Sequence, residues 1–112
     1  MATAFVHHAD CVKHDMGPYH PECPARYKSI EESMEAAGLL GKVDIYEAPL
    51  ATDEQLTRAH PASYVELIRE AAPESGLVQL DPDTAMNPYS LNAALRAAGA
   101  GVLGVDLVME GK

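Results

Sequence analysis

The sequence predicts an α/β fold of about two strands and about four helices, and three observations predict it. Two short runs, "TAFVHH" near the start and "KVDIYEAP" further on, have an apolar centre or an apolar–polar alternation, as strands do. Three other segments repeat their apolar residues at three- and four-residue steps, which places them on one face of a helix, and a fourth opens on a helix-capping threonine. Hydrophobic residues make up 47% and charged residues 22% of 112 positions. That composition folds rather than staying disordered, and the length fits one domain over residues 1–112.

Each element has its own warrant. "TAFVHH" is the first strand. "HDMGPYHPECPAR", residues 14–26, then brings three prolines, a glycine, two histidines, a cysteine, two acids and an arginine. It holds too many breakers for a regular element and too many functional groups for a plain linker. "PARYKSIEESMEAAGLLG" aligns Tyr27, Ile30, Met34, Ala37 and Leu40, with Pro24 near its start and Gly38 and Gly41 near its end, so it is an amphipathic helix. Glu31, Glu32 and Glu35 are expected on its solvated side. "KVDIYEAP" sets Val43, Ile45 and Ala48 against polar neighbours as the second strand. "ATDEQLTRAH" offers Thr52 as an N-cap with Asp53 and Glu54 in the first turn. It should be a short helix ending near His60. "PASYVELIREAAP" starts at Pro61, aligns Tyr64, Leu67, Ile68 and Ala71, and stops at Pro73. "ESGLVQLDPDTAMNPYS" is expected to be a long polar connection.

The last segment, "SLNAALRAAGAGVLGVDLVMEGK", reads as a helix capped by Ser90. Leu91, Ala94, Leu95, Ala98, Val102, Val105 and Val108 leave it little polar surface, and Arg96 and Asp106 are its main charged interruptions. Gly99, Gly101 and Gly104 each cost roughly 1 kcal/mol of helix propensity relative to Ala. Such residues are tolerated where neighbouring backbones approach closely. A helix apolar nearly all round belongs inside a larger body. Few elements here surround it, so the expectation is missing protein or a partner subunit.

Eight basic and seventeen acidic side chains give a net charge of −9, which argues against nucleic acid as a partner. No stretch of roughly 18 uninterrupted apolar residues suggests a membrane span, and the N-terminus lacks the pattern of a signal peptide. A cytoplasmic protein is expected. Cys11 and Cys23 suit free thiols there, and their spacing leaves a disulfide open.

"HDMGPYHPECPARYKSIEESMEAAGLL", "ATDEQLTRAHPASYVELI" and "LDPDTAMNPYSLNAALRAAGAGVLGVDLVMEGK", in that order, resemble the N-terminal portion of bacterial class II histone-deacetylase-like amidohydrolases. The resemblance runs from about Ala4 to the end. It implies a partial arginase/deacetylase-type fold of three layers, with parallel strands between helices. It also implies a zinc hydrolase that removes acyl groups, usually acetyl, from lysine or polyamine nitrogens. In that family a tandem His-His segment, an Asp-x-His pair, a further Asp and usually a Tyr carry the chemistry, all downstream of the matched portion. The resemblance therefore assigns no catalytic residue, no metal ligand and no cofactor to this chain, with zinc held by the full-length relatives. By position it carries over substrate-binding roles to Asp83 on the rim loop, to Tyr19, His20 and Glu22 in the wall and rim of the tunnel, and to Arg26 beside an internal channel.

Each feature also has a plainer reading. His7, His8, Cys11, His14, His20 and Cys23 match no familiar zinc spacing; one histidine packing on the sheet and the others bonding locally explains them. "DPDT" fails as a calcium loop, because Met86 and Asn92 stand where a glycine and a closing glutamate are needed. Its carboxylates then serve a turn. His60 reads as a helix-end residue. No nucleophile elbow or phosphate loop is present. Two functions remain in view: an N-terminal piece of a deacetylase, silent by itself, and a non-enzymatic module that self-associates or binds a partner. A third, a hydrolase improvised from His14, His20, Glu22 and Asp83, ranks last.

Overall fold

The computed structural model describes residues 2–112. Strand β1 (Ala4–His7) lies parallel to β2 (Asp44–Glu47), with Phe5 opposite Ile45 and His7 opposite Glu47. A parallel pair needs a crossover. A 3-10 turn over Ala9–Lys13, the proline-rich loop and helix α1 (Pro24–Ala36) supply it. Pro24 occupies the first turn of α1, where its missing N–H costs nothing. Gly38 ends the helix at φ +72°, while Leu39 N–H donates to the Met34 carbonyl. Glycine takes that left-handed stop without strain.

The expected face of α1 is only partly used. Tyr27 and Met34 are half-buried, but Ile30 and Ala37 are exposed, and Leu40 falls in a separate 3-10 turn, Leu40–Lys42. Glu31 departs from the expected solvated side: its carboxylate sits 3.1 Å from His7 Nδ1. Helix α2 (Asp53–Thr57) opens with a reciprocal cap. Thr52 Oγ1 accepts from Gln55 N–H at 3.2 Å, and Gln55 Oε1 accepts from Thr52 N–H at 3.0 Å. Helix α3 (Ala62–Ala71) follows, with Arg69 paired to Asp53.

The expected polar connection contains a hairpin. Strands β3 (Val78–Asp81) and β4 (Thr84–Met86) pair antiparallel, with an irregularity in register between Gln79 and Asp81. Both strands are too short to show a period of two. Pro82 falls between them in the turn, where its fixed φ suits the bend.

Helix α4 (Ser90–Met109) corrects the expected cap: Tyr89 is the N-cap and Ser90 the first helical residue. Asn87 shapes the turn into the helix, its Oδ1 accepting from Tyr89 N–H at 3.0 Å and from the Ser90 hydroxyl at 2.9 Å. The buried face is Ser90, Ala93, Leu95, Gly99 and Leu107, not the broader set the pattern suggests. At Gly99 a Cβ would lie 1.9 Å from the Pro49 carbonyl oxygen. Two residues on, Ala51 N–H donates to the Leu95 carbonyl at 3.0 Å. The segment after β2 thus rests backbone to backbone on α4. Gly101 and Gly104 have open space beside them.

Ala48, Ala51, Ala85, Met86, Ala93, Leu95 and Leu107 form the core, and among the described residues no large side chain is completely buried. Ile45, Leu67, Val105, Val108 and Met109 stay at least half exposed. The accessible surface is 7541 Å², against about 6,000 Å² for a folded monomer of this length. The radius of gyration is 15.5 Å, against about 13 Å for a compact domain of this length. By length and hydropathy alone α4 is able to cross a membrane. Here it carries polar tertiary ties through Ser90 and Arg96.

Candidate functional site

The first loop is folded back by its own side chains. Asp15 Oδ1 accepts from Gly17 N–H at 2.9 Å, and Gly17 takes φ +102°. Tyr19 follows at φ +68°, a left-handed conformation unusual for a residue with a Cβ. Its ring is fully exposed. Backbone strain at an exposed aromatic is a pointer to function rather than to packing.

His20 joins this loop to the hairpin. Glu22 N–H donates to His20 Nδ1 at 3.0 Å, so in the neutral ring the proton sits on Nε2. Nε2 lies 2.9 Å from the Asp83 carbonyl oxygen and 3.3 Å from Asp83 Oδ1. Asp83 N–H donates to Asp81 Oδ1 at 2.8 Å. Met16 adds a second tie, its sulfur accepting from Ala85 N–H at 3.3 Å. Asp83 therefore has its backbone held on both sides and its side chain 92% exposed.

Glu22 and Arg26 pair with each other: Arg26 Nε and Nη2 donate to the two carboxylate oxygens at 3.1 and 3.3 Å. Both edge a cavity of about 630 Å³ whose walls include Tyr27, Tyr64, Ile68, Leu80 and Leu91. The five residues singled out from the sequence thus divide. His20 and Asp83 meet, Glu22 and Arg26 meet at the cavity edge, and Tyr19 stands apart.

The histidines do not bond only locally, as expected, because three of them reach across the fold. His7 meets Glu31, His14 Nδ1 meets Ser90 Oγ at 2.6 Å, and His20 meets Asp83, while His8 accepts from Asp10 N–H. Pulled to different partners, they share no centre. Among the described residues no three His, Cys, Asp or Glu side chains converge. Of the four residues in the improvised alternative, His20 meets Asp83, while His14 turns to Ser90 and Glu22 to Arg26. "DPDT" makes the hairpin turn, with Asp81 accepting a backbone N–H. His60 stacks beside Tyr64, their centroids 5.3 Å apart, while Asp53 and Glu54 pair with Arg69 and Arg58.

Arg96 is the residue whose weight pattern-reading understates. Its Nε donates to Asp10 Oδ2 at 3.1 Å and its Nη1 to the Ala48 carbonyl at 3.0 Å. It ties α4 to both the 3-10 turn and the end of β2. The signal was a lone guanidinium in an apolar helix, which must find partners when covered. Its hydrogen bond holds the Asp10 carboxyl below its ordinary value, helped by the nearby His8 and opposed by partial burial. Burial raises the Cys11 thiol, and raises the Tyr27 phenol to about 12. Tyr27 Oη donates to the His8 carbonyl and accepts from His8 N–H, both at 3.2 Å.

A family profile described as "Histone deacetylase domain" matches residues 20–112. The histone deacetylase-like amidohydrolase of Pseudomonas aeruginosa is 28% identical, over 98% of this chain and 33% of its own length. An uncharacterised protein of Synechocystis is 33% identical, over 96% of this chain and 36% of its own. The crystal structure of the HDA15 HD domain superposes with a TM-score of 0.83 at 26% identity, covering 95% of this chain and 32% of that one. The 112 residues span about a third of the length of the proteins they match.

Proposed function

Because this chain belongs to the histone deacetylase domain family, we propose that it forms the rim-and-wall third of a zinc-dependent amidohydrolase domain and is catalytically silent by itself. The observation that carries the reading is the uncovered apolar surface, which leaves α4, β2 and α3 half-packed. It is the surface expected of one third of a domain. The substrate class is an acylated amine, acetyl-lysine or an acetylpolyamine. In the assembled domain zinc would polarise the amide carbonyl and activate water, on ligands outside these residues. The part played here is to bind and orient substrate: Asp83 offers an exposed carboxylate to substrate N–H groups, with Tyr19, His20, Glu22 and Arg26 shaping the approach.

Purified alone, the chain should neither retain stoichiometric zinc nor hydrolyse acetyl-lysine substrates. Zinc-dependent turnover that survives repurification and vanishes in Asp83→Ala would overturn the silence. The exposed Val105, Val108 and Met109 also favour a second reading, a self-associating module built on the same fold. Light scattering tests the module, and recombination with the remainder of a deacetylase domain tests the rim-and-wall reading. A defined dimer burying the outer face of α4 supports the module, and a stable monomer at high concentration removes it.

A further inference from the structure

We propose that His20 is a positioning residue whose Nε2–H latches the tip of the β3–β4 hairpin, so that the Asp83 carboxylate is presented in one orientation. This rests on the rim role proposed for Asp83 and adds what makes that role possible. An exposed aspartate at the end of a two-residue turn is ordinarily a mobile group, because loop tips have few buried contacts. Asp83 is not so free. Its N–H is bound by Asp81 Oδ1, and its carbonyl by His20 Nε2. Oδ1 leans toward the same imidazole at 3.3 Å, which leaves Oδ2 as the acceptor free for an incoming N–H.

His20 is itself fixed before it acts. Glu22 N–H saturates Nδ1 and sets the tautomer that donates from Nε2, and the ring is only 20% exposed. Glu22 is held in turn by two bonds from Arg26 on the first turn of α1. A chain of hydrogen bonds therefore runs from α1 through Glu22 and His20 to the hairpin tip. It transmits the rigidity of a helix to a carboxylate on a loop. Ordering the acceptor beforehand removes part of the entropy that a ligand would otherwise lose on binding.

Backbone ¹⁵N relaxation on the whole 112-residue chain tests the latch. With it intact, the Asp83 and Thr84 amides should show order parameters near those of rigid backbone, about 0.85. His20→Phe keeps a ring but has no donor, and should drop both below about 0.6 while the β1–β2 amides keep their values. His20→Gln places an N–H close to where Nε2 stood and should restore much of the order. A merely space-filling histidine would be replaced better by Phe than by Gln. Long-range ¹H–¹⁵N spectra should show the His20 proton on Nε2. Equal order in all three proteins, rescue by Phe alone, or a proton on Nδ1 would overturn the latch. If His20→Phe does not fold, the wild-type tautomer and the Gln variant still decide it. Hydrolysis by the chain recombined with the rest of a deacetylase domain tests the rim reading separately, since that outcome does not depend on the relaxation of residues 83 and 84.

Discussion

At Gly99 the segment after β2 lies directly against α4, and the position shows how one missing Cβ sets a geometry. Propensity alone favours alanine in a helix by about 1 kcal/mol. The Pro49 carbonyl oxygen, 1.9 Å from where that Cβ would stand, reverses the preference. Backbone cannot swing aside as a side-chain tip can, so Gly99→Ala should destabilise by about 1–3 kcal/mol in urea unfolding. Gly101→Ala, with open space beside it, should instead be neutral or stabilise by up to about 1 kcal/mol. Similar gains at both positions would mean that helix propensity, not close approach, governs the segment. Asp10 supplies a second test through its bond from Arg96. A carboxyl whose folded value is depressed adds stability above its unfolded value and loses it as the pH falls through the folded one. The stability difference between wild type and Asp10→Asn should hold steady above the ordinary carboxyl value of 3.8 and shrink as the pH drops below it. A difference that grows on acidification would show that Asp10 is not held as its carboxylate.

Elements differ in how plainly the sequence announced them, and the reason is physical. Helix α2 was legible because its start is local chemistry: Thr52 and Gln55 satisfy each other's backbone within four residues. Thr52→Ala should cost about 1 kcal/mol by chemical denaturation, and a loss near zero would mean that tertiary packing alone holds α2. Strands β1 and β2 were legible as apolar runs, and the "HPECPAR" run located the first loop of the candidate site. The hairpin was not legible, because β4 is three residues long and pairs through a register irregularity. What stabilises it lies far away in sequence. Met16 and His20 hold it from the first loop, and no local period encodes such ties. For the same reason the meeting of His20 with Asp83, 63 residues apart, is a product of folding that neither motif reveals alone. The buried face of α4 was not legible for a related cause. A helix apolar on nearly every side shows no preferred face, and the choice was made by Pro49 and Ala51 lying against Leu95 and Gly99.

At the scale of the molecule, surface decides what the chain is fit for. Its 7541 Å² is roughly 1,500 Å² more than a folded monomer of its length exposes, about twice the roughly 800 Å² that one partner gives to a standard interface. The excess is partly apolar and lies on identifiable elements: Ile45 on β2, Leu67 on α3, and Val105, Val108 and Met109 at the far end of α4. Water gains nothing by touching those groups, so the isolated chain should bind a hydrophobic dye and associate as its concentration rises. Replacing Val105 and Val108 together by Glu should leave the unfolding midpoint nearly unchanged, within about 0.5 kcal/mol for exposed positions. The same pair should suppress association in sedimentation velocity and weaken recombination with the remainder of a deacetylase domain. Those two effects belong together, because one face of one helix is asked to serve both. If the double variant folds, still associates like wild type and still recombines, then the outer face of α4 is not the surface that the proposed remainder of the domain would cover. A wild-type chain that stays monomeric without binding dye would show that this excess of area is tolerated by water.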